Sequence, residues 1–494
     1  MTTSSLQPGS TRSRPKWDEA IPPVLRPLLR AYALGYASVV APRLLTLVLQ
    51  LVTRRSRDAS NTTIPKLPRE SFLVSLRRIL RGGLALQRFP TFCAALVGGS
   101  TLLDVLSRFQ IFISILSFEI IINGRHRLSR WIATFVAACL GLKLLQSRRS
   151  ERFEETNPVK SELTPGTIHH TTRYAGRTLD LSLFAVTRAL DVIVGGLWAR
   201  RRGRRLASGR WTRVESAISN LTDPAIFAIS CSLIMWAWVY SPSSLPRAYD
   251  KWISSAAAVD TRLIEALKRF RTGEIRYQED TGQAPLLQGM CLEYKWPLQW
   301  GDPAKAIPFP CEIVHMGCGP SCEYHALSRC YRSCKWSMAM YLPLNLLLVV
   351  RHPNAKGLKT ALLSACRSSA FLGSFIMLFY YGVCLARTRV GPHLIGRNST
   401  ACNKIDDGIC VGSGCFLCGW SILLEAAGRR KDMALFVAPR AMATVLPRRY
   451  AWDKQWRETV VFAASTAVVF TCALEDRKRV RGVLGNVLGT VLEA

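Results

Sequence analysis

Five cysteines and two histidines fall between Cys311 and Cys334, in the stretch CEIVHMGCGPSCEYHALSRCYRSC. Cys311, His315, Cys322 and His325 supply four nitrogen or sulfur donors, the set a zinc ion wants, although their spacing follows none of the standard finger patterns. The same stretch allows disulfides if it faces an oxidising compartment, with Cys318-x3-Cys322 and Cys330-x3-Cys334 as facing pairs. It also allows reduced cysteines packed as small apolar groups. Metal, disulfide and packing all stay open at this level. Cys415-x2-Cys418 is weaker, because Phe416, Leu417 and Trp420 set it in an apolar run with no nearby histidine.

Ionisable residues inside apolar runs are the second source of chemistry. Arg188 and Asp191 stand one helical turn apart and can neutralise each other, whereas Arg440 has Ala443 at the equivalent place. An intramembrane charge is costly in lipid and so marks a functional site by default. The plainer alternative makes 179–198 and 433–446 interfacial helices whose arginines reach lipid phosphates. Enzyme motifs are missing: there is no P-loop, no Gly-x-Ser-x-Gly elbow and no His-Glu-x-x-His. No histidine has an aspartate five residues on, so the usual acyltransferase signature is absent as well. The chain reads as a non-enzyme.

The elements that must position the cysteines are legible locally. Gly317, Gly319 and Pro320 break any helix, Ser321 can cap the next one, and the chain from Cys322 onward reads as helical. On that helix Cys322 and His325 share a face.

Composition bounds the class. The 494 residues are 49% hydrophobic with mean hydropathy +0.13, yet carry 66 Lys+Arg against 33 Asp+Glu. A nucleic-acid binder would gather such charge in one domain. Here basic runs alternate with apolar runs, as in a polytopic membrane protein. Apolar runs fall near 31–53, 91–122, 131–145, 179–198 and 224–240, then near 337–350, 362–387, 408–427, 433–446 and 459–474. Against about 20 residues per span, this predicts roughly eight to ten apolar helices. The most basic tract, Ala199 to Arg205, reads as a loop, and 147–176 as a polar linker. Residues 1–20 lack an apolar h-region, so no secretory signal peptide is expected, and Asn61, Asn220 and Asn398 are expected to be unglycosylated. Gly408, Gly412, Gly414 and Gly419 read as helix-packing surfaces.

Residues 175–189 align without a gap on 427–441, with Ala, Gly-Arg, Asp, Leu-Phe and Arg-Ala coinciding. Each copy precedes a small-residue apolar span, which suggests a duplicated membrane module. A second likeness is more specific. The Cys311-x3-His315…Ser321-Cys322-x2-His325 pattern, running into Met340-Tyr341-Leu342-Pro343-Leu344, resembles the cysteine-rich region of the transmembrane protein 135 family. Ser369–Ser374, Ala427–Arg430, Leu435-Phe436 and Pro439–Ala441 follow in matching order. The likeness covers about the last 200 residues well and the first half loosely. One departure is Met316, where the family usually has proline. The resemblance implies a peroxisomal or mitochondrial membrane protein acting in organelle lipid handling, membrane dynamics or transport. It also implies a distant similarity to channel subunits of the mitochondrial inner-membrane translocases.

The expectation is therefore an all-α, polytopic integral membrane protein in two related helical halves. Its parts are a polar segment 1–30, a first membrane half 31–246, a linker 247–310, the Cys/His-rich element and helix 311–350, and a second membrane half 351–494. Its partners are the lipid bilayer and anionic lipid head groups at the basic loops, with no nucleic acid and a homo-oligomer left open. No cofactor is required, with zinc on Cys311, His315, Cys322 and His325 the exception to test. The rival function is a membrane-bound metal- or thiol-dependent enzyme built on those four residues.

Overall fold

The computed structural model describes residues 21–57, 72–114, 122–160, 167–350, 354–476 and 479–492. The readings placed on residues 1–20 and on Asn61 lie outside the described residues. Helices follow one another as α1 (Arg26–Arg57), α2 (Phe72–Gly83), α3 (Phe89–Ser114) and α4 (Ile122–Gln146). A hairpin of β1 (Glu154–Lys160) and β2 (Thr167–Ala175) leads to α5 (Leu179–Ala207) and α6 (Arg213–Tyr240). Next come α7 (Arg247–Ala257), α8 (Thr261–Thr272), α9 (Ala284–Tyr294), α10 (Cys311–His315), α11 (Cys322–Val350) and α12 (Ala355–Thr388). The chain closes with α13 (Val390–Leu394), α14 (Ser399–Lys404), a π-helical segment Ile405–Ile409, α15 (Cys410–Cys418), α16 (Ala427–Val445), α17 (Gln455–Glu475) and α18 (Gly482–Leu492).

The fold is all-α and polytopic. Among the described residues, eight helices are long and apolar enough to cross a membrane, from Arg26–Val48 to Trp452–Glu475. Two local readings change. Within 147–176, expected as a polar linker, β1 and β2 pair antiparallel, with Glu154 opposite Arg173 and Lys160 opposite Thr167. The basic tract after Ala199, expected as a loop, is the last turns of α5. Arg201 and Arg205 there reach Glu215, whose carboxylate also closes a capping box with Thr212 at the start of α6.

The chain divides into two compact units. One comprises the chain up to Thr178, residues Arg188–Gly195 and everything from Ala451. Its core joins Phe92 and Leu96 of α3 to Ala138 and Leu142 of α4 and to Phe462 and Ala463 of α17. Small residues allow this closeness: a Cβ on Gly98 would fall 2.5 Å from Leu28. A buried polar knot fastens the same helices, with Gln146 donating to Thr178 at 3.0 Å, Thr178 donating to Glu458 and Thr459 donating to Gln146 at 3.3 Å.

The second unit comprises Leu179–Thr187 and Gly196–Tyr450. Phe227, Ile234 and Trp238 of α6 pack with Phe371, Ile376 and Phe379 of α12 and with Val411 and Cys415 of α15. Gly382 and Gly414 let α12 and α15 meet backbone to backbone, since a Cβ on Gly382 would stand 2.8 Å from the Gly414 Cα. Segment 247–310, expected as a linker, is a folded layer of α7–α9 with its own core of Phe270, Tyr277, Leu287, Met290, Phe309 and Ile313. This layer positions the cysteine-rich element.

Candidate metal centre

α10 is only five residues long, yet it sets Cys311 and His315 four apart on one face. It ends at Met316, whose φ of 51° begins a left-handed turn that continues through Gly317 (81°) and Gly319 (86°). Proline holds φ near −65°, so it could not occupy position 316 in this turn. The turn reverses the chain, and Ser321 then caps α11 as expected, accepting from the Tyr324 amide at 3.2 Å. Cys322, the first residue of α11, thereby returns to the face of α10.

Cys311, His315 and Cys322 converge: one ligand atom from each lies within 4.8 Å of the others. The His315 ring is fully buried, and its Nδ1 sits 2.7 Å from the Gly319 carbonyl oxygen. A carbonyl only accepts, so Nδ1 carries the proton and Nε2 presents its lone pair to the Cys384 thiol at 3.5 Å. This is the arrangement that orients a metal-binding histidine. Burial pushes the Cys311 thiol up to about 11, with the Arg387 guanidinium pulling the other way and Cys322 adding to the rise. A bound cation would displace that proton.

Another sulfur approaches from 62 positions beyond Cys322, on α12, outside the three-residue group. The Cys384 sulfur lies 3.5 Å from His315 Nε2 and also meets the Cys322 thiol. Two tetrahedral zinc ligands, one nitrogen and one sulfur, stand about 3.5 Å apart. Local spacing could not have revealed Cys384, which reads as one more small residue in an apolar run.

His325, the fourth ligand proposed from sequence, is placed differently. Its ring lies flat against His315, 4.5 Å between centroids and 17° between planes, with Tyr380 edge-on at 5.1 Å. Neither ring nitrogen has a hydrogen-bond partner. Burial lowers its basicity first, then His315, Arg329 and Arg332, to a value of about 3. His325 is a neutral packing ring whose stack fixes the plane of His315.

Several of the remaining cysteines pack, whereas Cys366 is exposed. All sixteen are free thiols. Cys334 faces Gly373 where α11 meets α12, and donates to the Ser369 carbonyl at 3.4 Å. Cys415 and Cys418 sit in the apolar core, as their surroundings in the sequence suggest.

The charges within the apolar runs have unlike surroundings. Arg188 is buried and donates to the Arg481 carbonyl at 3.3 Å, while Asp191 is held by the Arg481 guanidinium, with Nε at 2.9 Å from Oδ1. Asp191 thus has a partner that sequence proximity did not suggest. Arg440 is half-buried; it donates to the Phe436 carbonyl at 2.7 Å and lies over the Phe436 ring at 3.8 Å. Helix covers both aligned stretches from 179 and from 431 onward. Before that, 175 ends a strand whereas Ala427 already begins α16.

The ion pair that sequence reading missed is Arg387–Asp406. Arg387 ends α12 and Asp406 sits in the π-helical segment; Arg387 Nε donates to Asp406 Oδ1 at 2.7 Å and Nη2 to Oδ2 at 3.0 Å. Tyr277 adds its hydroxyl to Oδ2 at 2.6 Å. Each residue stood alone at the edge of an apolar run or in the expected linker, so no local pattern linked them.

No family model, curated protein or solved structure matches this chain.

Proposed function

We propose that this multi-pass protein resides in a peroxisomal or mitochondrial membrane and serves organelle lipid handling, membrane dynamics or transport, with a structural zinc ion held by Cys311, His315, Cys322 and Cys384. The organelle and the process rest on the resemblance to the transmembrane protein 135 family. The zinc reading is supported by one observation: Cys311, His315 and Cys322 converge, with the Cys384 sulfur 3.5 Å from His315 Nε2 as the candidate for the fourth position. Catalytic zinc sites keep a position open for water or substrate, whereas structural sites close all four. A donor at the fourth corner therefore favours structure over catalysis and speaks against the enzyme alternative. Two ligands sit on α10, one opens α11 and the fourth lies on α12, so the ion would clasp α10 and the start of α11 to α12.

Elemental analysis of the purified chain tests the metal. About one zinc per chain, lost on Cys384→Ser and kept on Cys334→Ser, is the expected result; metal-free protein of full thermal stability would refute it. Imaging a tagged chain against peroxisomal and mitochondrial markers tests the location independently.

A further inference from the structure

The apolar stretch of α4 ends at Gln146, and that of α17 begins at Trp452. Both residues line one recess in the first compact unit, together with Arg148, Arg173, Arg177 and Glu154. Arg88, the residue before α3 opens, adds a fourth guanidinium to this group. Burial, then Arg148, Arg173 and Arg88, hold Arg177 below its ordinary value. Arg88 is lowered in the same way, by burial, then Arg148, then Arg43. Four like charges from four separate places in the chain therefore stand within electrostatic reach of one another.

Their partners are few. Arg177 donates to the Arg148 carbonyl, and the Arg173 guanidinium lies over the Trp452 ring at 3.7 Å. Glu154 is the only acid among the lining residues, opposite Arg173 in the strand register. Among the described residues, none of the four guanidiniums makes an ion pair. Other arginines at helix ends are matched: Arg205 meets Glu215, Arg448 meets Asp180 and Arg481 meets Asp191. Here base outnumbers acid. Like charges held together cost free energy that an anion recovers.

Space and position narrow the anion. The enclosed part of the recess is about 20 Å³, room for about one water. A larger group must therefore rest at the mouth, where Arg148 is exposed and Arg88, Arg173 and Arg177 are half-buried. The arginines flank the ends of apolar spans, the level of lipid head groups, and Trp452 is the kind of aromatic found at that interface. A guanidinium fork pairs with two phosphate oxygens at once.

We propose that Arg88, Arg148, Arg173 and Arg177 hold the phosphate of one anionic lipid at the mouth of this recess. The site is independent of zinc and of the organelle assignment.

The test titrates the full chain, solubilised in a mild detergent, with phosphatidic acid and counts bound lipid by native mass spectrometry. Phosphatidylcholine, the matching fatty acid and inorganic phosphate serve as competitors. One phosphatidic acid should bind saturably and resist an excess of each competitor. Arg148→Gln should weaken it about fivefold, the effect of one basic residue at a membrane surface. Arg149→Gln removes the same charge from an exposed neighbour outside the recess and should leave binding unchanged. Arg88→Gln repeats the loss from a second element, and the competition on the parent chain needs no variant. Equal weakening by Arg148→Gln and Arg149→Gln would mean diffuse charge and no site. Displacement by inorganic phosphate would make the anion a soluble one. Displacement by the fatty acid or phosphatidylcholine would remove the anionic phosphate from recognition. Each of these results overturns the proposal.

Discussion

Two buried polar clusters lie one turn apart at the end of α12, and they solve burial in opposite ways. At Arg387 the charge is matched from within: Asp406 accepts two of its donors and Tyr277 supports the acid. At Cys384 the neighbours are two thiols and an imidazole whose Nε2 accepts from the Cys384 thiol, a set rich in donors to a cation and poor in charge. The first cluster is complete in its charge. On the proposed reading, the second would hold a cation. The difference teaches which buried polar group in a membrane protein is structural by itself and which implies a partner ion.

The comparison is broken most directly at the ion pair. Asp406→Asn would leave a fully buried guanidinium without its anion, a change that destabilises by about 3–5 kcal/mol when one partner of a buried pair is removed. Denaturant titration in detergent should show that loss, with no change in zinc content. The double replacement Arg387→Met with Asp406→Leu should recover most of it, because apolar residues of similar volume can substitute for a buried pair. A single mutant as stable as the parent would mean that the charge is solvated.

The next largest effect separates the clusters from the other side. Stripping the ion with a chelator should lower unfolding stability by about 2.7–4.1 kcal/mol relative to protein held at a free zinc level 100 to 1,000 times its dissociation constant. Readding zinc should restore it. The Asp406→Asn protein should lose a similar further amount, since the two clusters act through different bonds. A chelator without effect on stability would leave the cysteines as packing groups.

What the sequence made legible follows from the range of each signal. The capped start of α11, the helix-breaking turn at Gly317 and Gly319, and the eight apolar helices are all local patterns, and each formed where its residues allow. Cys311, His315 and Cys322 were found because a short turn keeps them close in sequence. Cys384 and Asp406 were not, because their partners arrive through tertiary packing of α12 against α10, α11 and the π-helical segment. His325 was misassigned by the same logic. Spacing of i,i+3 guarantees a shared face but does not decide whether a ring points at the cluster or stacks on it. The hairpin of β1 and β2 was hidden by Pro158, which pairs with His169 in the strand.

A smaller effect sharpens the ligand cluster. Ser321→Ala removes the hydroxyl that accepts from the Tyr324 amide, a loss of about 1 kcal/mol for a helix cap. Since Cys322 is the first residue of the helix so capped, zinc affinity should weaken as well, read by competition with a chromophoric chelator. Unchanged affinity would show that the turn, and not the cap, places Cys322.

The smallest effect is expected at His325, and it decides between the two fourth ligands. The His325 ring is fully buried with both nitrogens unpartnered, so it gains nothing from being an imidazole except its shape. His325→Phe keeps a flat ring against His315 and the edge contact from Tyr380, and it removes two unsatisfied polar atoms. Stability should therefore stay within about 1 kcal/mol of the parent or rise, because deleting an unpaired buried polar group is neutral to favourable. Zinc content should remain about one per chain, whereas Cys384→Ser abolishes it. His325→Ala serves as the contrast: without the stacked ring, His315 is free to tilt and affinity should fall about 10–100-fold, as for other groups that orient a metal ligand. If His325→Phe loses the metal while Cys384→Ser keeps it, the ligand set is the one that sequence spacing suggested and the cluster must rearrange on binding.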